Sequence, residues 1–94
     1  MTMKWINKQG VESDEGFVFQ GMHRFCYHYV ENDHVLKIEV EPSLRGEDIY
    51  FESRPKWEPP FTREAISREK TDVIRCRVEK ALKFMGWKYK IHEV

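Results

Sequence analysis

The chain has 94 residues, of which 40% are hydrophobic and 34% are charged, and its 16 basic side chains balance 16 acidic ones. This length predicts a single domain over residues 1–94, because compact domains usually have about 50–200 residues, and the apolar content excludes an intrinsically disordered chain. No apolar run approaches the ~20 residues of a membrane-spanning helix, and the first residues lack the apolar stretch of a secretory signal. We therefore expect a cytoplasmic protein without membrane contacts.

Alternating polar and apolar residues predict a series of short strands in the first half of the chain. A strand is expected around Trp5, followed by a polar turn over residues 10–16. The next strands are expected at Gly16–Gln20 and, beyond a bulge or bend at Gly21, at His23–Val30, since both segments are rich in aromatic and β-branched residues. The aromatic side chains that share one face of the latter strand are Phe25, Tyr27 and Tyr29.

The tetrapeptide Glu31-Asn32-Asp33-His34 predicts a tight hairpin, because Asn and Asp tolerate left-handed backbone and hydrogen-bond their own turn. Residues 35–41 then alternate cleanly, which predicts a half-buried antiparallel strand. The side chains expected to face inward are Leu36, Ile38 and Val40, and those expected to face outward are Lys37, Glu39 and Glu41. A loop is expected over residues 42–47, and one more strand over residues 48–52, antiparallel to the strand before it.

The segment over residues 53–61 predicts an ordered, extended connection. It contains three prolines, which lack the N–H that a strand ladder or a helix requires. Trp57 and Phe61 bracket the Pro59-Pro60 pair. We expect these two aromatic side chains to hold the connection against the sheet.

From Thr62 onward the apolar residues recur at helical spacing. The stripe consists of Ile74, Val78, Ala81, Leu82 and Met85. Ser67 or Thr62 is expected to cap the start of this helix, and Gly86 to end it in left-handed conformation. Residues 87–92 alternate again and predict a last strand. The predicted fold is α+β, in the order ββββ(β)-α-β, with two layers: a mostly antiparallel sheet of about five or six strands, and one long helix before the last strand that covers one face.

The zero net charge hides a division between two parts of the chain. Residues 1–61 have seven basic and eleven acidic side chains, whereas residues 62–94 have nine basic and five acidic ones. The acidic excess is concentrated in one stretch with Arg45 as its only basic side chain, and its carboxylates are Glu39, Glu41, Glu47, Asp48 and Glu52. Such charges often only solvate a surface. On two adjoining strands they would form a continuous negative surface that steers a cationic partner.

Four aromatic side chains are candidate anchors for a partner beside these carboxylates. They are Tyr27, Tyr29, Tyr50 and Trp57. Large aromatic residues dominate binding interfaces, but they also build protein cores. Both roles remain open at this point.

Catalysis and metal binding have little support in the sequence. Cys26 and Cys76 have no metal-ligand spacing, and without an export signal we expect both to be reduced. The four histidines accompany no nucleophile elbow and no phosphate-binding glycine loop. We therefore expect a protein that is not an enzyme and that uses no cofactor or metal.

Nucleic-acid binding is the alternative function. The basic side chains of the predicted helix and last strand are Arg68, Lys70, Arg75, Arg77, Lys80, Lys83, Lys88 and Lys90. The strand tyrosines Tyr27, Tyr29 and Tyr50 would stack on bases. The chain lacks the overall basic balance of most nucleic-acid binders, so this alternative ranks second to protein binding.

The chain resembles the small bacterial immunity proteins that neutralise polymorphic toxins, including those of contact-dependent growth inhibition. The features that carry this resemblance are the hairpin at Glu31–His34, the acidic strand pair that follows it, and the closing segment Ala81–Tyr89. The resemblance implies a cytoplasmic, non-catalytic inhibitor that binds a cognate toxin domain, such as a nuclease. A monomeric inhibitor and a homodimer are both compatible with the sequence.

Overall fold

Seven strands form one sheet in the computed structural model, which describes residues 1–94. The strands are β1 (Met3–Asn7), β2 (Gly10–Ser13), β3 (Val18–His23), β4 (Cys26–Glu31), β5 (His34–Ser43), β6 (Gly46–Phe51) and β7 (Tyr89–Glu93), and the helix α1 (Arg68–Met85) lies between β6 and β7. The strands neighbour each other in chain order. All pairs are antiparallel except β6 and β7, which are parallel. The α+β class with one helix before the last strand is confirmed, although the sheet has more strands than the five or six predicted.

The additional strand is β2, which falls inside the segment predicted as a polar turn. Val11 in the centre of β2 is fully buried, whereas Glu12 turns outward and pairs with Lys4 of β1 at 2.9 Å. The turn itself is limited to the residues around Gly16. A four-residue strand with a single apolar side chain has almost no alternation to detect, and its pairing with β1 and β3 defines it instead.

Two turns also differ from their predicted positions. A turn at Arg24 and Phe25 interrupts the predicted strand over residues 23–30. Phe25 is 54% exposed in this turn and does not share a face with the tyrosines of β4, contrary to the prediction. A register irregularity lies between Gly21 and His23, where the bulge or bend was predicted. The predicted loop at residues 42–47 shrinks to a turn at residues 44–45, because β5 and β6 pair as far as Ser43 and Gly46.

The hairpin between β4 and β5 agrees with its prediction. Asn32 and Asp33 have φ angles of 45° and 65°, so both occupy the left-handed region. This is the geometry of a type I′ turn, whose twist matches that of the flanking strands. The turn sets the register Glu31↔His34 and therefore places Leu36, Ile38 and Val40 on the buried side of β5.

Helix α1 covers one face of the sheet with its apolar stripe. The buried side chains of α1 are Thr71, Ile74, Val78, Ala81, Leu82 and Met85. Ser67, rather than Thr62, caps the start, because its hydroxyl accepts a hydrogen bond from the Lys70 N–H. Gly86 ends the helix with a φ of 75°, as predicted.

The proline-containing connection runs along the edge that β5 leaves unpaired beyond the end of β6. The Glu58 N–H donates to the Val35 carbonyl at 2.8 Å, and Trp57 lies in the core with 6% of its surface exposed. Phe61 stacks on His34 with ring centroids 3.7 Å apart. The two aromatic side chains hold this segment against the sheet, as predicted.

Candidate protein-binding site

The face of the sheet opposite α1 has no covering layer, and three of the predicted carboxylates meet on it. Glu39 and Glu41 project outward from β5, and the register pairs Glu41 with Asp48 and Glu39 with Tyr50 on β6. Tyr50 is paired in turn with His92 on β7. Directly opposed side chains on adjacent strands lie about 4.5–5.5 Å apart at Cβ, so these five residues are contiguous. We call Glu39, Glu41, Asp48, Tyr50 and His92 the acidic patch.

Hydrogen bonds inside the acidic patch orient two of its three carboxylates. The Tyr50 hydroxyl donates to Glu41 Oε2 at 3.1 Å, and His92 Nε2 lies 3.0 Å from Asp48 Oδ1. The rings of Tyr50 and His92 stack with centroids 5.2 Å apart. The hydrogen bond to Glu41 raises the pKa of the Tyr50 phenol.

The carboxylates of the acidic patch have no lysine or arginine partner within ion-pair distance. The lysine that precedes Glu39 on the same face, Lys37, pairs instead with Glu58 at 3.3 Å. Lys90 is the register neighbour of Asp48 but forms no ion pair with it. The contact that Asp48 does make is with the ring of His92, at 3.0 Å from Nε2. Glu39 and Glu41 therefore form no ion pair, whereas Asp48 contacts His92 and lies beside Lys90.

The other two predicted carboxylates are not among the paired strand positions of the acidic patch. Glu47 alternates to the opposite side of β6, where one of its carboxylate oxygens is buried without a hydrogen-bond partner. Burial, and secondarily the nearby charge of Asp48, raises the pKa of Glu47. Glu52 follows the last residue of β6 and is exposed beside the Pro55 segment. Of the predicted five-carboxylate surface, Glu47 therefore lies on the opposite side of the sheet, and Glu52 lies beyond the paired part of β6.

The position of β7 beside β6 depends on the close approach of the Lys88 backbone to Gly46. This residue has a φ of 124°, and a Cβ atom there would lie 2.5 Å from the Lys88 carbonyl oxygen. The same carbonyl accepts a hydrogen bond from the Glu47 N–H at 2.9 Å. Glycine at this position therefore allows the parallel pairing that brings His92 into the acidic patch.

Three of the four predicted aromatic anchors are core residues, which corrects the suggestion that they stand beside the carboxylates. Tyr27, Tyr29 and Trp57 are 5%, 0% and 6% exposed. Tyr27 stacks on Trp87 at 5.6 Å, and Tyr29 lies 6.5 Å from Trp57, under the helix. Burial raises the pKa of both tyrosines. Both tyrosines face the helix because the register pairs Tyr27 with Ile38 and Tyr29 with Leu36, which lie on the buried side of β5.

The residue of the acidic patch that the sequence interpretation missed is His92. The sequence does indicate the side on which His92 lies. Alternation places Tyr89 and Ile91 toward the core and His92 on the opposite side. The missing information was the neighbour of β7. A parallel pairing across an intervening helix leaves no local sequence mark, and only this pairing places His92 beside Asp48.

The basic residues of α1 do not form one stripe. Lys70 Nζ lies 2.7 Å from Glu31 Oε2, and Arg77 donates to the Tyr29 hydroxyl at 2.9 Å, so both point toward the sheet. Arg75 pairs with Glu93 at the end of β7 and lies near Asp72. The helix cations without an ion pair are Arg68, Lys80 and Lys83.

Comparison with known proteins adds no relative to this description: no protein-family model, curated protein or solved structure matches the chain. The helix α1 is not long and apolar enough to cross a membrane. No group of three or more His, Cys, Asp or Glu side chains is arranged to hold a metal ion. The acidic patch is accordingly interpreted from its own geometry and charge.

Proposed function

We propose that this chain is a non-catalytic, cytoplasmic binding protein that inhibits a cationic toxin domain, in the manner of an immunity protein, by covering it with the acidic patch. The toxin class we propose is a nuclease. The observation that carries the proposal is the convergence of Glu39, Glu41 and Asp48 on the uncovered face without a lysine or arginine partner.

The physical argument begins with repulsion between the three carboxylates. Like charges on directly opposed strand positions destabilise each other, and Glu41 and Asp48 are such a pair. A cationic partner relieves this repulsion and is steered toward the surface before contact. A nuclease binds phosphate through lysine and arginine side chains, so clustered carboxylates compete for the same groups.

The rings of Tyr50 and His92 supply an apolar contact in the centre of this charged surface. Tyrosine is enriched at binding hot spots because it combines a large ring with a hydrogen-bonding end. The Tyr50 ring is pre-ordered by its stacking on His92 and its hydrogen bond to Glu41. Less conformational entropy is therefore lost when a partner packs on it.

The test is capture of basic polypeptides from the organism that encodes the chain, followed by binding measurements with the purified captured protein. The wild type is compared with two variants. The patch variant contains Glu39→Gln, Glu41→Gln and Asp48→Asn. The control variant contains Asp14→Asn, Asp33→Asn and Glu69→Gln. Each variant removes three negative charges, and the control residues lie outside the acidic patch and form no ion pair.

We expect the patch variant to associate at least about tenfold more slowly at low salt than wild type, with a weaker dependence on ionic strength. The control should change the association rate less than about threefold, since only its long-range charge differs. If the captured protein is a toxin nuclease, adding wild-type chain abolishes its activity and adding the patch variant does not. Equal rates for patch variant and wild type would contradict the proposal.

The alternative of nucleic-acid binding through α1 and β7 has weaker support. Lys70, Arg75 and Arg77 are engaged in contacts within the protein. Two of the three tyrosines of the supposed stacking platform are in the core. A nucleic acid would therefore meet separate lysines and not a continuous basic surface.

A further inference from the structure

A cleft of about 920 Å³ opens at the end of the molecule where α1 begins. Its walls are the segment that follows β6, the loop that precedes α1, the first two turns of α1 and the end of β7. Ligand pockets in proteins usually measure about 300–1,000 Å³. The cleft is thus large enough for a small molecule, and it contains no residue of the acidic patch.

Basic side chains from three of these walls line the cleft without an ion-pair partner. They are Arg54, Lys56, Arg63 and Arg68. Arg54 and Lys56 come from the segment after β6, Arg63 from the loop and Arg68 from the first residue of α1. All four are exposed, so their charges face the solvent that fills the cleft.

Three of the four acidic side chains of the same cleft contact a basic side chain of the protein. Glu64 accepts hydrogen bonds from His34, whose pKa is raised by its backbone contact with Asn32 and by this carboxylate. Asp72 and Glu93 both pair with Arg75. Glu52 is the one lining carboxylate without a partner. The lining has five basic and four acidic side chains, and four of the basic ones have no ion-pair partner.

The remaining lining residues indicate what kind of ligand fits. The apolar side chains among them are Phe51, Ala65 and Ile66, and Phe51 is only 3% exposed. No exposed aromatic ring is present on which a base or a sugar would stack. Recognition in this cleft must come from charge and from the planar N–H groups of three arginines, whose geometry matches phosphate oxygens.

We infer that this cleft binds a compact anion that carries several phosphate groups, through Arg54, Lys56, Arg63 and Arg68. The inference does not depend on the acidic patch. It assigns a small-ligand site to residues outside the acidic patch, where the proposed inhibitory role requires none.

The experiment is calorimetric titration of the full chain with inorganic tripolyphosphate, at about 20 mM and about 150 mM salt because screening shortens from roughly 20 Å to 8 Å over this range. The cleft variant replaces Arg54, Arg63 and Arg68 by Gln. The control replaces Lys80, Lys83 and Lys88 by Gln, which removes the same charge from exposed positions outside the cleft. Urea unfolding of each variant verifies that it folds.

We expect saturable one-to-one binding by wild type, a loss of at least about tenfold in affinity for the cleft variant, and less than about threefold for the control. Glu52→Gln should strengthen binding, by roughly two- to fivefold, because it removes the unpaired carboxylate. Equal losses in cleft variant and control would overturn the inference, since net charge alone would then explain binding. No heat at low salt would also overturn it.

A parallel titration with single-stranded oligouridylate separates a small anion from a nucleic acid. The inference holds if tripolyphosphate displaces the oligonucleotide or if the oligonucleotide does not bind. It fails if the oligonucleotide binds the wild type, and tripolyphosphate at saturating concentration does not displace it. Light scattering then measures whether wild type and cleft variant form dimers. If only the wild type forms a dimer and tripolyphosphate does not bind, the inference is wrong. The cleft would then bind the acidic patch of a second copy.

Discussion

The two faces of the sheet differ although the same strands build them. On β5, Leu36, Ile38 and Val40 are at most 3% exposed beneath α1, while the alternating Glu39 and Glu41 are exposed on the other side. The covered face is determined by packing, where even one methylene changes stability. The uncovered face has exposed side chains, so we expect substitutions there to change stability less. The comparison leads to four predictions about stability, which differ between the two faces.

The largest effect is expected on the covered face. Leu82→Ala should lower the free energy of unfolding by about 2–5 kcal/mol, because Leu82 is fully buried and its removal leaves a cavity against the sheet. Urea unfolding measures this difference. The control on the same helix is Val73→Ala, at a side chain that is 43% exposed. A similar loss at both positions would mean that α1 does not pack as described.

A smaller effect is expected at the rim of the covered face, where Glu31 receives hydrogen bonds from Lys70 Nζ and the Tyr29 hydroxyl, each at 2.7 Å. Glu31→Gln should destabilise the fold by about 1–3 kcal/mol, because it leaves half-buried donors without a charged acceptor. Glu12→Gln is the control. Its partner Lys4 is 74% exposed, and the expected loss is below about 1 kcal/mol.

We expect the difference in stability between wild type and the Glu31→Gln variant to depend on pH. Burial alone would raise the pKa of Glu31, but the hydrogen bonds from Lys70 and Tyr29 and the charge of Arg77 outweigh it and lower the pKa below 4.5. The stabilisation is therefore present above this ordinary value and is lost as the pH falls through the lowered one. Unfolding free energies of wild type and Glu31→Gln should converge in acid. A constant difference down to the lowest pH would contradict the assignment.

The smallest effect on stability is expected on the uncovered face. The patch variant with Glu39→Gln, Glu41→Gln and Asp48→Asn should unfold within about 0.5 kcal/mol per substitution of wild type, because exposed positions away from the core tolerate change. Relief of the repulsion between Glu41 and Asp48 acts in the stabilising direction. A large loss in urea unfolding would show that these carboxylates support the fold, and the reason to assign them to a partner would disappear.

Local chemistry accounts for the parts of the fold that were predicted correctly. The left-handed turn at Asn32 and Asp33, the alternation along β5, and the left-handed end of α1 at Gly86 each depend on a few adjacent residues. The Ser67 cap is of the same kind. Such features survive any tertiary arrangement, because the backbone conformation they need is set within a single turn.

The candidate site was predicted only in part, because its members depend on partners that lie far away in sequence. Tyr27 and Tyr50 are both tyrosines on alternating strands, yet one is in the core and the other in the acidic patch. Alternation establishes that neighbours on a strand face opposite sides, but not which side the helix covers. Glu47 was assigned to the outward surface for the same reason, and its register places it on the other side.

By itself, the sequence determined where the chain turns at Asn32-Asp33, which residues of β5 and α1 share a face, and that one helix covers one sheet. Only the tertiary structure decided that residues 10–13 are a strand, that β7 pairs in parallel with β6, and that Arg54, Arg63 and Arg68 surround one cleft. The reason is the range of the interactions. Turns, caps and alternation are settled by neighbouring residues, whereas a charged surface or a cleft exists only when distant segments pack together.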